Sequence, residues 1–225
     1  ASGLVWGTID DGGHDDCFQT SYIDGCEFVA VGIPVLYAER SMTMRNCVVT
    51  VAQTGDFVSA VQLQGDDGCG GGHNLTNNII RTDGDTGVLV PAGCNVRVSF
   101  NTIVAGNKAI YLEGGDEESS VHIVSNILGG PGSPAAGVYN EHSGECYYKG
   151  NLMYGFSGVF DGNVTDQGSN DSYEAVDLSA DLFAGGLDGD LSDGDETDYH
   201  LVDEGGTTYA VDLAVWNSWD DPDVD

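Results

Sequence analysis

Positive charge is what this chain has least of. Six lysines and arginines stand against 37 aspartates and glutamates in 225 residues, a formal net charge of −31. Nucleic-acid binding needs a cationic surface that displaces counterions from phosphate, so no nucleic-acid partner is expected. An anionic membrane surface would repel the chain for the same reason. No apolar run approaches the ~20 residues of a membrane span, so no membrane insertion is expected either. An initiator Met and a signal peptide are missing at Ala1, which reads as a processed or excised piece.

The sites of familiar chemistry are equally sparse. Cys17, Cys26, Cys47, Cys69, Cys94 and Cys146 form neither a C-x-x-C pair nor a zinc-ligand spacing. Their even number, in a chain with almost no lysine, makes all six candidates for disulfides in an extracytoplasmic setting; the alternative is that several are small buried hydrophobes. The histidines (His14, His73, His122, His142, His200) show no H-x-H or H-x-x-x-H spacing. No Ser–His–Asp set is indicated, and no glycine loop precedes a helix to cradle phosphate.

What is present is glycine and periodicity. Thirty-four glycines are about twice the usual share of roughly 7%, and 40% apolar residues suffice for a core. A small residue followed by alternating apolar positions recurs at Gly32, Ala60, Gly87, Ala109, Gly137 and Gly158, at intervals of 28, 27, 22, 28 and 21. Between these marks fall Asn46, Asn78, Asn101, Asn126 and Asn151, each followed by apolar residues and separated by 32, 23, 25 and 25. Each unit holds two or three short strands, too little for a pair of helices, and the alternation in Val96-Arg97-Val98 is that of a strand. Such a unit cannot bury its apolar face alone, so successive units must stack at the ~4.8 Å spacing of paired strands. The prediction is an all-β chain: a right-handed parallel β-helix of about six or seven coils over 1–160, then an irregular last coil and acidic Asp/Gly-rich cap over 161–225. The five asparagines are assigned to a structural ladder, each at a tight bend with its amide bonded one coil up or down.

The G-[IV]-x-[LV] and N-x-[IL] marks resemble right-handed parallel β-helix proteins, the superfamily that includes pectate lyases and polygalacturonases. Asp181-Leu182-Phe183, Asp198-Tyr199-His200-Leu201 and Tyr209-Ala210-Val211-Asp212 are similar to the ending of secreted bacterial β-helix proteins of unassigned function, although Thr208-Tyr209 stands where Ser-Pro is typical. The resemblance implies a fold and not an activity. Galacturonan hydrolases of this fold carry N-T-D, D-D, G-H-G and R-I-K motifs; here only isolated acidic pairs such as Asp66-Asp67 occur, and Gly72-His73 is followed by Asn. Lyases need gathered cations, whereas Arg40, Arg45, Arg81, Arg97, Lys108 and Lys149 are scattered over different coils. No catalytic residue is assigned.

Calcium is the cofactor to expect, since hard oxygen ligands suit it and Asp188, Asp190, Asp193, Asp195 and Asp198 crowd one glycine-rich stretch. A solvated acidic loop is the competing reading, because the spacing leaves the D-x-D-x-D-G pattern after the second Asp. Trp216 and Trp219 are assigned to the cap, with sugar stacking as the alternative. The expected function is that of an extracellular or cell-surface, non-enzymatic rod for display, adhesion or end-to-end assembly, with a polysaccharide or cell-surface ligand. The alternative is a polysaccharide lyase or glycoside hydrolase with an atypical carboxylate site on one face.

Overall fold

The computed structural model describes residues 4–6, 21–32, 34–38, 41–52, 59–63, 72–114, 120–130, 136–142, 145–154 and 158–162. Every regular element among them is a strand. A first strand, β1 (Leu4–Trp6), precedes triplets that repeat in chain order. These are β2 (Ser21–Asp24), β3 (Glu27–Val31) and β4 (Leu36–Ala38), then β5 (Met42–Arg45), β6 (Val48–Ala52) and β7 (Ser59–Leu63). The middle of the stack holds β8 (His73–Thr76), β9 (Ile79–Thr82), β10 (Thr86–Val90), β11 (Val96–Ser99), β12 (Thr102–Val104) and β13 (Lys108–Leu112). It continues through β14 (Ser120–Val124), β15 (Ile127–Gly129) and β16 (Ala136–Asn140) to β17 (Glu145–Lys149), β18 (Leu152–Tyr154) and β19 (Gly158–Gly162).

Every strand pairs in parallel with the strand three places away. This generates sheet A (β1-β4-β7-β10-β13-β16-β19), sheet B (β2-β5-β8-β11-β14-β17) and sheet C (β3-β6-β9-β12-β15-β18). Three strands therefore make one turn of a parallel β-solenoid. Alternation along each strand sends one set of side chains inward, where equivalent residues stack in columns. Sheet C contributes Val49, Ile80, Ile103, Leu128 and Met153, with the half-buried Phe28 below them. Sheet B contributes Met44, Leu75, Val98, Ile123 and Tyr148, and sheet A contributes Val61, Val88, Ile110 and Val138.

The small-residue marks serve this core unevenly. Ala60, Gly87, Ala109 and Gly137 share one register position on sheet A. A Cβ on Gly87 would come within 2.5 Å of Ile103 Cγ2, so the position must stay small to admit the facing column. Gly32 and Gly158 lie outside that position: Gly32 sits at a turn with φ 71°, and Gly158 pairs with Ala136, one place early. The cap predicted over 161–225 lies outside the described residues beyond Gly162.

Between sheets B and C the chain turns in two residues. The first, at Gly25, Asn46, Asn77, Phe100, Ser125 and Gly150, adopts a left-handed backbone with φ of 53° to 63°. Glycine and Asn take this conformation at little cost, whereas Phe and Ser are strained in it. The Ser125 hydroxyl is also buried without a hydrogen-bond partner. Ser125→Gly is therefore expected to stabilise the fold by about 0.5–1 kcal/mol, after allowing for the extra freedom glycine gives the unfolded chain. Thermal or urea unfolding checks the sign.

Candidate functional site

The second residue of that corner carries the polar spine of the molecule. Its carbonyl accepts a backbone bond from the next turn, as in Thr102 N–H to Asn78 O at 2.9 Å. Its own N–H would be left without a partner in the ladder, and an asparagine one turn on supplies the acceptor. Asn101 Oδ1 takes the Asn78 N–H and the Asn78 side-chain amide, both at 2.9 Å. Asn126 Oδ1 does the same for Asn101 at 2.9 and 3.1 Å, and Asn151 Oδ1 for Asn126 at 3.0 and 2.9 Å. Each amide nitrogen also donates backward to a carbonyl: Asn78 to Met44, Asn101 to Leu75, Asn126 to Val98 and Asn151 to Ile123, at 2.7–2.9 Å. All four are at most 3% exposed.

Asn46 is laddered one coil up and down as expected, but in a separate outer column one residue earlier than this spine, so the five asparagines do not form a single ladder. It occupies the exposed left-handed position, where its amide donates to Asp24 Oδ1 at 2.9 Å and its oxygen accepts from Asn77 at 2.7 Å. The Arg45 guanidinium joins the same outer cluster, 3.0 Å from Asp24. Cys47 takes the rung instead. Its sulfur accepts the Cys26 N–H at 3.4 Å and donates to Ile23 O at 3.8 Å and Arg45 O at 3.1 Å, the pattern an Asn would make there. Sequence reading missed this because Cys47 passes for the first apolar residue of the strand.

None of Cys26, Cys47, Cys94 and Cys146 is in a disulfide; Cys26 is exposed and the other three are buried. Burial raises the Cys47 thiol above its ordinary pKa, and does the same for Cys146. Cys17 and Cys69 lie outside the described residues, as do the proposed calcium ligands Asp188, Asp190, Asp193, Asp195 and Asp198 and the tryptophans Trp216 and Trp219. Among the described residues no group of three or more His, Cys, Asp or Glu is placed to hold a metal. No helix among them is long and apolar enough to cross a membrane.

The outward face of sheet A gathers the accessible chemistry. Tyr111 and Tyr139 are register partners on β13 and β16, with ring centroids 5.5 Å apart and planes at 64°. Lys108 Nζ lies 5.2 Å from one ring centroid and 5.5 Å from the other, within cation–π range. The ammonium is held there by Asp85 Oδ2 at 3.2 Å. Asp85 in turn accepts from Asn107 at 2.6 Å and from Thr86 at 2.9 Å. Glu113 and Glu141 follow β13 and β16 at successive positions, their N–H groups bonded to Val90 O and Leu112 O. Tyr111 donates its hydroxyl to Glu141 Oε2 at 2.8 Å. Burial first, then this bond and the charges of Glu141 and Glu113, push the Tyr111 pKa up to about 12, so the phenol is a donor and not a base at neutral pH. On sheet B, His122 and Tyr147 stack at 4.7 Å beside Arg97, whose outward column they continue.

Burial pushes the Asp85 carboxyl up, but the bonds from Asn107 and Thr86 and the Lys108 charge outweigh it, leaving the pKa below the ordinary aspartate value. A depressed folded value means this contribution is present above the unfolded pKa and is lost as pH falls through the folded one. Asp85→Asn is expected to cost about 1 kcal/mol at neutral pH. Between about pH 7 and about pH 3, wild-type stability should fall more than that of the variant. Parallel urea-midpoint curves for the two proteins would contradict the assignment.

No family model matches the chain, and no curated protein or solved structure matches it.

Proposed function

We propose that this protein is an extracellular or cell-surface, non-catalytic rod of the right-handed, pectate-lyase-like kind, which holds a saccharide against the outward face of sheet A. The observation that carries this reading is the Tyr111–Tyr139 row. Two aromatic side chains are fixed on adjacent strands of a stack whose interior is tied together by the asparagine spine. Such a row offers ring faces to sugar C–H groups, and Glu113 and Glu141 at its rim offer acceptors to sugar hydroxyls. A surface at −31 selects against polyuronates and favours neutral glycans, unless calcium bridges the two. The calcium loop, the C-terminal cap and end-to-end assembly belong to the same reading. Tyr22, Val29 and Val31 are exposed on β2 and β3, the last described strands of sheets B and C. In this reading a strand of a second molecule would pair at that end of the stack.

Binding to a panel of plant and algal polysaccharides tests the proposal. The Tyr111→Ala, Tyr139→Ala double variant should weaken the captured glycan by about tenfold, equivalent to about 1.4 kcal/mol. Retained affinity would move the ligand elsewhere. The second reading, a glycoside hydrolase, is favoured by one observation: Glu113 and Glu141 follow paired strands, which lie ~4.8 Å apart, near the ~5–5.5 Å carboxyl separation of retaining enzymes. New reducing ends that disappear in Glu141→Gln would establish that reading over the rod.

A further inference from the structure

The polar spine ends, toward the N-terminal turns, in two cysteines. Glu27 pairs with Val48, so Cys26 and Cys47, each one residue earlier, face each other across adjacent turns at the rung position. The Cys47 sulfur already leans toward the neighbouring turn, accepting the Cys26 N–H at 3.4 Å and reaching Ile23 O. Paired parallel strands place such residues ~4.8 Å apart, inside the ~4.4–6.8 Å between Cα atoms that a disulfide spans. Cys26 is exposed and open to reagents, whereas Cys47 is 1% exposed directly behind it. Cys146 offers no such pairing, since its register partner is Val121.

We infer that Cys26 and Cys47 are a dithiol pair that closes into a cross-turn disulfide, replacing the last hydrogen-bonded rung with a covalent one. With glutathione disulfide as oxidant, the exposed Cys26 thiolate attacks one of its sulfurs, breaks the S–S bond and releases one glutathione. Cys47 then loses its proton and attacks Cys26 Sγ, expelling the second glutathione. Two thiols are oxidised, one glutathione disulfide is reduced to two glutathiones, and the two protons are carried away with them. Burial of Cys47 makes the second step the slow one. The bridge spans 21 residues and staples β2 and β3 onto β5 and β6, at the end where no further described strand pairs with sheets B and C. The inference does not depend on the saccharide reading.

The test uses the whole folded chain in a glutathione redox buffer. Remaining thiols are alkylated, and the unreduced digest is analysed by mass spectrometry. The expected result is a peptide pair linked through Cys26 and Cys47, absent from Cys26→Ser. That variant changes an exposed side chain and leaves the Cys47 rung in place. Amide exchange across β2 and β3 should slow by about tenfold or more on oxidation of the wild type and not of the variant. The inference is overturned if Cys26 is recovered alkylated or as a glutathione adduct with Cys47 still a thiol. Linkage of Cys26 to Cys17 or Cys69 would overturn it equally.

Discussion

Asn101→Ala is expected to cost about 3–5 kcal/mol, a large part of the stability of an ordinary domain. The side chain is 1% exposed and makes five hydrogen bonds: two received from Asn78, and one given to each of Leu75 O, Ser99 O and Asn126 Oδ1. Alanine leaves the Asn78 N–H and side-chain amide buried with no acceptor at that rung. A donor orphaned in this way costs about 1–3 kcal/mol, more than the bond itself contributes when made. Asn46→Ala is the control, because Asn46 is exposed and water replaces what it loses. Its cost should stay near 1 kcal/mol, mostly from placing alanine in a left-handed backbone. Urea unfolding of the two variants separates the inner spine from the outer cluster, and equal losses would mean that Asn101 is merely a turn residue.

Gly106→Ala is the second large effect, at about 2–4 kcal/mol. Gly106 lies on the corner between β12 and β13, bonded through its N–H to Gly84 O at 2.9 Å on the preceding turn. An added Cβ would sit 2.5 Å from Asp83 O and 2.8 Å from Gly84 O. Both obstacles are backbone, so relief requires two turns to separate. That separation also moves Asn107 and Lys108 away from Asp85, and the variant should lose the pH-dependent contribution of Asp85 along with stability. Gly25→Ala provides the comparison: nothing lies within 4 Å of its added Cβ, but its φ is 63°. Backbone conformation alone then sets its cost, at about 1–2 kcal/mol. A Gly106→Ala protein no less stable than Gly25→Ala would show that the corner is looser than described.

The stacking of turns was legible because inward positions must be apolar in every turn while corners are free to lengthen. Four of the five ladder asparagines were legible for a related reason: a buried corner N–H demands a side-chain acceptor, and Asn serves best where its amide can also donate backward. The rung at Cys47 was hidden because one thiol performs both roles and is indistinguishable in sequence from an apolar strand residue. The left-handed column was legible only in part, since Asn46 and Asn77 suit that backbone whereas Phe100 and Ser125 adopt it without sharing their chemistry. Gly32 and Gly158 misled the register because glycine marks a left-handed turn and a crowded small position alike. The aromatic row was present in the variable place of the G-[IV]-x-[LV] mark: Gln62, Leu89, Tyr111 and Tyr139 all fall there. Only register shows that this place faces outward and that Glu113 and Glu141 stand beside it.

The most direct measurement is a map of short proton–proton contacts across β11 by nuclear magnetic resonance. The backbone around Val98 should contact Leu75 on one side and Ile123 on the other, in the offset pattern of parallel pairs. Asn101 should show the same two-sided contact with Asn78 and Asn126. Contacts running in the antiparallel sense, or joining β11 to its sequence neighbours β10 and β12 as in a meander, would contradict the winding on which the spine, the outward face and the cysteine pair all depend.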